Sequence, residues 1–212
     1  MRSFILIGAL VLGLATTATP ADARGVRLFV RHDVADYAAW RKTYDGFDAT
    51  RRTLGVTAQA VYQSSDNPND VTVTHDFRTL EKAQAFAASG DLKAAMQKAG
   101  VTGTPQLWIT MPTAGGSGRA SHVRMFVRHE VADYTAWRTV YDGLGASRRR
   151  QGVTGQAVYQ AAGTPNDVTV THDFRSLERA KAMAASADLK AGMQKAGVKG
   201  APQVWFASRA AN

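Results

Sequence analysis

The apolar and polar positions of this chain fall into short segments of two different periods. Arg27 to Arg31, Thr57 to Gln63, Val71 to Phe77 and Gln106 to Ile109 alternate or cluster β-branched and aromatic residues, the pattern of strands. Between the first two, Tyr37, Trp40, Tyr44, Phe47 and Leu54 recur at helical spacing. That stripe predicts one helix from an Asp36 N-cap to about Leu54, with Gly55 just past its end. Asp66-Asn67-Pro68-Asn69-Asp70 is turn chemistry. Thr79 opens a helix carrying Leu80, Ala83, Phe86 and Ala87, and Asp91 to Ala99 predicts a further short helix before Gly100.

The same order then recurs. Leu28 to Ile109 aligns with Met125 to Phe206 without a gap, and roughly seven positions in ten are identical, which marks a duplicated domain. The octet VTVTHDFR stands at Val71 to Arg78 and again at Val168 to Arg175. Pro112 to Ser121 (PTAGGSGRAS) lies between the copies and reads as a flexible linker. Each copy has the order βαββαβ, a ferredoxin-like unit whose helices cover one sheet face and leave the other bare. The expected fold is therefore α+β: two tandem ferredoxin-like repeats, 24–111 and 122–212, joined by a linker at 112–121. Their bare faces would close into an intramolecular pseudo-dimeric α+β barrel, so that one chain acts as a monomer.

Parity along the strands sorts the side chains. Val71, Val73, His75 and Phe77 share one face, Thr72, Thr74 and Asp76 the other. His75 and Asp76 therefore cannot form a dyad within one strand, nor can His172 and Asp173. Leu28, Val30 and His32, and Leu107 and Ile109, go with the helix-covered face. Phe29, Arg31, Gln106 and Trp108 go with the face between the sheets. On the second strand Val61 and Tyr62 compete for the core.

The first residues change the picture of where the protein acts. Arg2 is followed by the apolar run Phe4 to Ala15, too short to span a bilayer comfortably, and then by small residues ending Ala21-Asp22-Ala23. Residues 1–23 read as a secretory signal peptide, which makes the mature protein periplasmic or secreted, with no membrane attachment after cleavage. The chain of 212 residues has no cysteine, so neither disulfides nor thiol chemistry contribute. The formal charge is +9, but the basic residues are scattered among acidic ones. The run Arg148-Arg149-Arg150 reads as a solvated helix end, and nucleic acid is not an expected partner. Neither histidine-pair spacing nor thiols point to a metal, no nucleotide-binding or nucleophile-elbow motif is present, and no cofactor is implied.

The segments VRHEVADYxAWRxxYDG, GVTGQAVY, PNDVTVTHDFRSLERAKAMA and DLKxxMQKAGVxGxPQVW resemble the dimeric α+β barrel superfamily, in particular the small proteins similar to antibiotic-biosynthesis monooxygenases. The resemblance covers both repeats. It implies the barrel fold and an activity drawn from cofactor-independent oxygenation, haem degradation or isomerisation, or from no reaction at all. The monooxygenase and haem-degrading subgroups use an Asn on the first strand and a Trp on the helix after the third. Here the first strand reads FVRH in both copies, and the helices at 80–88 and 177–185 contain no Trp, so those roles do not transfer.

Two candidate pockets follow. A cleft between sheet and helices would hold His75 with Trp40 and Tyr44, and His172 with Trp137 and Tyr141. The resembling enzymes have a site of this kind, in which the histidines would be general bases. The space between the sheets would hold Arg31, Asp76 and Trp108 with Arg128, Asp173 and Trp205. Arg31 and Asp76 would pair there, or the arginines would hold an anionic ligand. Three functions are open: binding of a small aromatic or anionic molecule, a cofactor-independent oxygenase or isomerase/cyclase, or an interaction protein with filled pockets. The near-identity of the copies predicts that both sites work or neither does.

Overall fold

The computed structural model describes residues 25–114, 116–118 and 123–211. The expected signal peptide at 1–23 lies outside the described residues. The first repeat runs β1 (Val26–Val34), α1 (Tyr37–Gly46), α2 (Asp48–Thr53), β2 (Ala58–Ser64), β3 (Asp70–Phe77), α3 (Leu80–Ala87), α4 (Gly90–Lys98) and β4 (Val101–Pro112). A two-residue strand β5 (Ser117–Gly118) precedes the second repeat. That repeat comprises β6 (Val123–Val131), α5 (Tyr134–Gly143), α6 (Gly145–Arg150), β7 (Gly155–Ala161), β8 (Thr164–Phe174), α7 (Leu177–Ala184), α8 (Ala187–Lys195) and β9 (Val198–Arg209). No helix among the described residues is long and apolar enough to cross a membrane.

The strands form one antiparallel sheet in the order β4-β1-β3-β2-β9-β6-β8-β7-β5, and a further β4–β7 pairing closes it into a barrel. Closure depends on the last strands, which are far longer than the four residues their patterning predicts. Thr110 to Pro112 pair with Ala161 to Tyr159 of β7, Thr110 while still paired with β1, and Arg209 to Ala207 of β9 pair with Tyr62 to Ser64 of β2. Each repeat thus ends as a strand in the other's sheet, and three residue pairs at each junction close the barrel. Pro112, placed in the linker by composition, closes β4. Beyond it Thr113 donates its amide to Val158 O, and Ser117 and Gly118 pair with β7.

The predicted single helix from Asp36 to Leu54 is instead two helices. Asp36 does cap the start by accepting from the Ala39 amide. The break falls at Phe47, after Gly46, where glycine weakens the helix. The second copy breaks at the same place, Leu144 after Gly143. Thr79, Ser89, Ser176 and Ser186 cap the remaining longer helices through their hydroxyls.

Three apolar clusters result. One lies between sheet and helices in each repeat, and Val61 belongs to the first of these. The third fills the barrel: Phe29, Tyr62 and Trp108 meet Phe126, Tyr159 and Trp205. Strand parity thus separates the faces as expected, and both residues in the Val61/Tyr62 ambiguity are buried, on opposite sides.

Candidate functional site

The barrel interior is a packed core. Phe29 stacks on Trp108 and Phe126 on Trp205, with centroids 5.2 and 5.1 Å apart, and the two indoles meet edge to face at 6.2 Å. Each indole N–H crosses to the other repeat: Trp108 donates to Thr169 Oγ1 at 2.9 Å and Trp205 to Thr72 Oγ1 at 3.0 Å. The expected Arg31–Asp76 pair does not form. The β1–β3 register sets Arg27, not Arg31, opposite Asp76. Arg27 grips Asp76 through Nε and Nη2 at 2.6 and 2.7 Å and donates to Tyr159 Oη. Arg31 instead binds Asp70 and lies 4.6 Å from the Trp205 ring centre. Arg124–Asp173 and Arg128–Asp167 repeat the arrangement. Burial pulls the Arg27 guanidinium down, but Asp76 and Tyr159 more than reverse it, so its charge is fixed. A wide depression of about 720 Å3 lies beside Arg27, whose guanidinium is engaged by Asp76 and Tyr159, and the exposed Arg78 also lines it.

The clefts between sheet and helices differ from this and from each other. In the second repeat the cleft is a cavity of about 390 Å3; in the first it is about 40 Å3. The larger falls within the range of sites that enclose a small organic ligand, while the smaller has room for about one water. The two clefts are therefore unequal in volume despite their near-identical sequences, and they differ at a few lining positions. Phe47 and Ala95 line the first cleft where Leu144 and Gly192 line the second. Phe86 packs on His75 with centroids 5.1 Å apart, and Met183 takes its place in the second copy. A Cβ on Gly192 would stand 3.0 Å from Leu144 Cδ1, so the missing methyl is what lets α8 sit beside Leu144.

The structure brings the predicted cleft residues together in both copies. Trp40 stacks on Tyr44 and Trp137 on Tyr141, each at 4.9 Å. Tyr44 Oη lies 3.4 Å from His75 Nε2, and Tyr141 Oη 3.2 Å from His172 Nε2. His32 and His129 join them, packed on Trp40 and Trp137. Burial, with smaller contributions from the nearby arginine and second histidine, lowers His75 and His172 to about 3. Burial lowers His32 and His129 to about 4, partly offset by Asp70 and Asp167. All four are neutral rings at physiological pH. Nδ1 of His75 and His172 and both ring nitrogens of His32 and His129 have no protein hydrogen-bond partner.

The residue that sequence reasoning missed is an arginine. Arg148 was expected in solvent; it is 6 % exposed and lines the large cavity, and its counterpart Arg51 is 1 % exposed. The helix break explains this. It exposes the carbonyls at the end of α1 and α5, and the arginine one turn on folds back to cap them, Arg51 Nη1 on Tyr44 O and Arg148 Nη1 on Tyr141 O. Each guanidinium lies over a tyrosine face, 3.8 and 3.7 Å from the ring centres of Tyr44 and Tyr141. Among the described residues, Arg51 has an ion pair with Asp48 and Arg148 has none. Burial accordingly lowers the Arg148 pKa from its ordinary value. No group of three or more metal-binding side chains occurs among the described residues.

No family model matches this sequence, and no curated protein matches it. Solved structures do. An anthrone oxidase-like protein superposes with a TM-score of 0.66 at 12 % identity, covering 90 % of this chain and 93 % of its own. A monooxygenase-like protein from Listeria innocua gives 0.55 at 9 % identity, covering 91 % and 98 %. This chain has the dimeric α+β barrel fold. A proposed monooxygenase from Lactobacillus acidophilus NCFM shares it, with a TM-score of 0.56, 11 % identity and coverage of 88 % and 94 %. All three superpose along both repeats of this chain, so the barrel built from two tandem ferredoxin-like units is common to them.

Proposed function

We propose that the protein binds a small, largely apolar organic molecule in the cleft of its second repeat. The observation that carries this reading is the cavity of about 390 Å3 beside a near-identical cleft that is filled. Its walls combine Trp137, Tyr141, Leu144, Met183 and Met193 with polar groups that include His129, His172, Arg148, Arg150 and Lys195 and one acid, Asp188. That mixture suits an aromatic or anionic ligand of modest size. A binding role is favoured over general-base chemistry because a histidine whose conjugate acid lies near 3 accepts a proton poorly at neutral pH. The structural neighbours described as oxidase-like and monooxygenase-like bring an oxygenase reading to this chain as the alternative.

Export completes the reading, and it rests on the N-terminal pattern of Arg2, the apolar run and Ala21-Asp22-Ala23. Barrel closure within one chain supports a monomer. The test is native mass spectrometry on protein recovered from the periplasm. A monomer starting near Arg24 and carrying a small molecule that is released on denaturation is the expected result. A chain retaining residues 1–23, or a ligand that stays bound to a variant with Leu144→Phe, Met183→Phe and Gly192→Ala, would overturn it.

A further inference from the structure

The first repeat shows what the second is missing. In the first, the Asp48 carboxylate sits at the start of α2 and gathers three side chains. Oδ1 accepts from Gln59 Nε2 at 2.9 Å and from Arg51 Nη2 at 3.3 Å, and Oδ2 lies 2.8 Å from Arg52 Nη2. In the second repeat all three donors are kept, as Gln156, Arg148 and Arg149, but the acid is Gly145. Among the described residues, Gln156 Nε2 and Arg148 Nη2 have no hydrogen-bond partner in the protein. Arg148 has instead turned its Nε to Gln156 Oε1 at 2.8 Å. A Cβ built on Gly145 would find Arg148 Nη2 and Arg149 Nη1 at 3.7 Å each, ordinary contact distances. Glycine is therefore not demanded by crowding. The neighbouring residue Leu144 and Arg148 itself both line the cavity, so the place vacated by the acid adjoins it.

We propose that the second repeat takes from its ligand the carboxylate that the first repeat carries as Asp48, so that the ligand is a small hydrophobic carboxylate bound by Arg148, with Arg149 and Gln156. The apolar body lies in the cavity against Trp137 and Met183. In the first repeat the acid is covalently attached and Phe47, Phe86 and Ala95 fill the space where a ligand would lie, although Arg51 Nε is left without a partner there. This deepens the binding reading above and depends on it. A guanidinium without a counter-ion, beside a planar amide, attracts a carboxylate, which here would accept from Arg148 Nη2 as Asp48 accepts from Arg51 Nη2.

The experiment is calorimetric titration of the mature chain with benzoate and with benzamide, its uncharged isostere. Benzoate is expected to bind once per chain, with benzamide about tenfold weaker or worse. Gly145→Asp restores the internal acid; it is expected to weaken benzoate by about tenfold or more while raising Tm. Asp48→Gly is expected to leave benzoate binding unchanged. Equal binding of the two probes, or unchanged benzoate affinity in Gly145→Asp, overturns the carboxylate assignment and leaves the small-molecule reading standing. Failure of both probes to bind the unsubstituted chain overturns both.

Discussion

The four buried histidines make stability depend on pH in a way the structure dictates. His32 and His129 are held at about 4 and His75 and His172 at about 3, against 6.5 in the unfolded chain. The folded values lie below the unfolded one, so the unfolded state binds more protons as the medium acidifies. Stability is fully present above about pH 6.5 and drains away as the pH falls toward 4 and then 3. At pH 5 each ring contributes a loss of about 2 kcal/mol, since one and a half pH units below 6.5 are crossed at 1.36 kcal/mol per unit. The sum over four rings, about 8 kcal/mol, is of the order of a whole domain's stability. Urea unfolding at constant ionic strength should therefore show a large fall in midpoint between about pH 7.5 and pH 5. A double variant, His75→Gln with His172→Gln, should lose about half of that dependence. An unchanged midpoint in the unsubstituted protein would refute the reasoning, because it would mean that the rings are hydrated or protonated in the folded state.

The arginine counterparts should differ in what their loss costs. Arg51→Met removes the cap on Tyr44 O and one of three donors to the half-buried Asp48 and should destabilise by about 2 kcal/mol, whereas Arg148→Met removes the matching cap together with an uncompensated charge and should cost less; equal losses in chemical denaturation would contradict this. Trp108→Phe and Trp205→Phe each leave a buried threonine hydroxyl unpaired, Thr169 or Thr72, and each should cost about 1–3 kcal/mol. Their effects should match, because the barrel core is symmetric. Phe47→Leu with Phe86→Met and Ala95→Gly should open the first cleft and create a second site for apolar dyes in fluorescence titration; a stoichiometry still at one per chain would mean that other residues close it.

Much of this architecture is legible in the sequence because it rests on periodicity. The duplication announces a two-fold barrel, and strand parity places His75 and Asp76 on opposite faces and Phe29 and Trp108 in the barrel. Register is another matter. Which arginine of β1 faces Asp76 depends on the β1–β3 register, which no hairpin turn fixes, and parity is the same for Arg27 and Arg31. Arg148 was illegible for a different reason. A run of three arginines near a helix end reads as a solvated surface until the break after Gly143 exposes carbonyls for one of them to cap. The inequality of the two clefts is written in a handful of substitutions, Phe47/Leu144, Asp48/Gly145, Phe86/Met183 and Ala95/Gly192. Each looks conservative or local in an alignment of the repeats. Their effect is legible only once the fold gathers them around one cavity.

The asymmetry of the two clefts is tested most directly by the indole N–H signals of nitrogen-labelled tryptophan. The chain has four tryptophans, Trp40 and Trp137 in the clefts and Trp108 and Trp205 in the barrel. Titration with benzoate should shift the Trp137 signal to saturation and leave Trp40 in place. Equal shifts of Trp40 and Trp137, or a shift confined to Trp108 and Trp205, would show that the second-repeat cleft is not the one that binds.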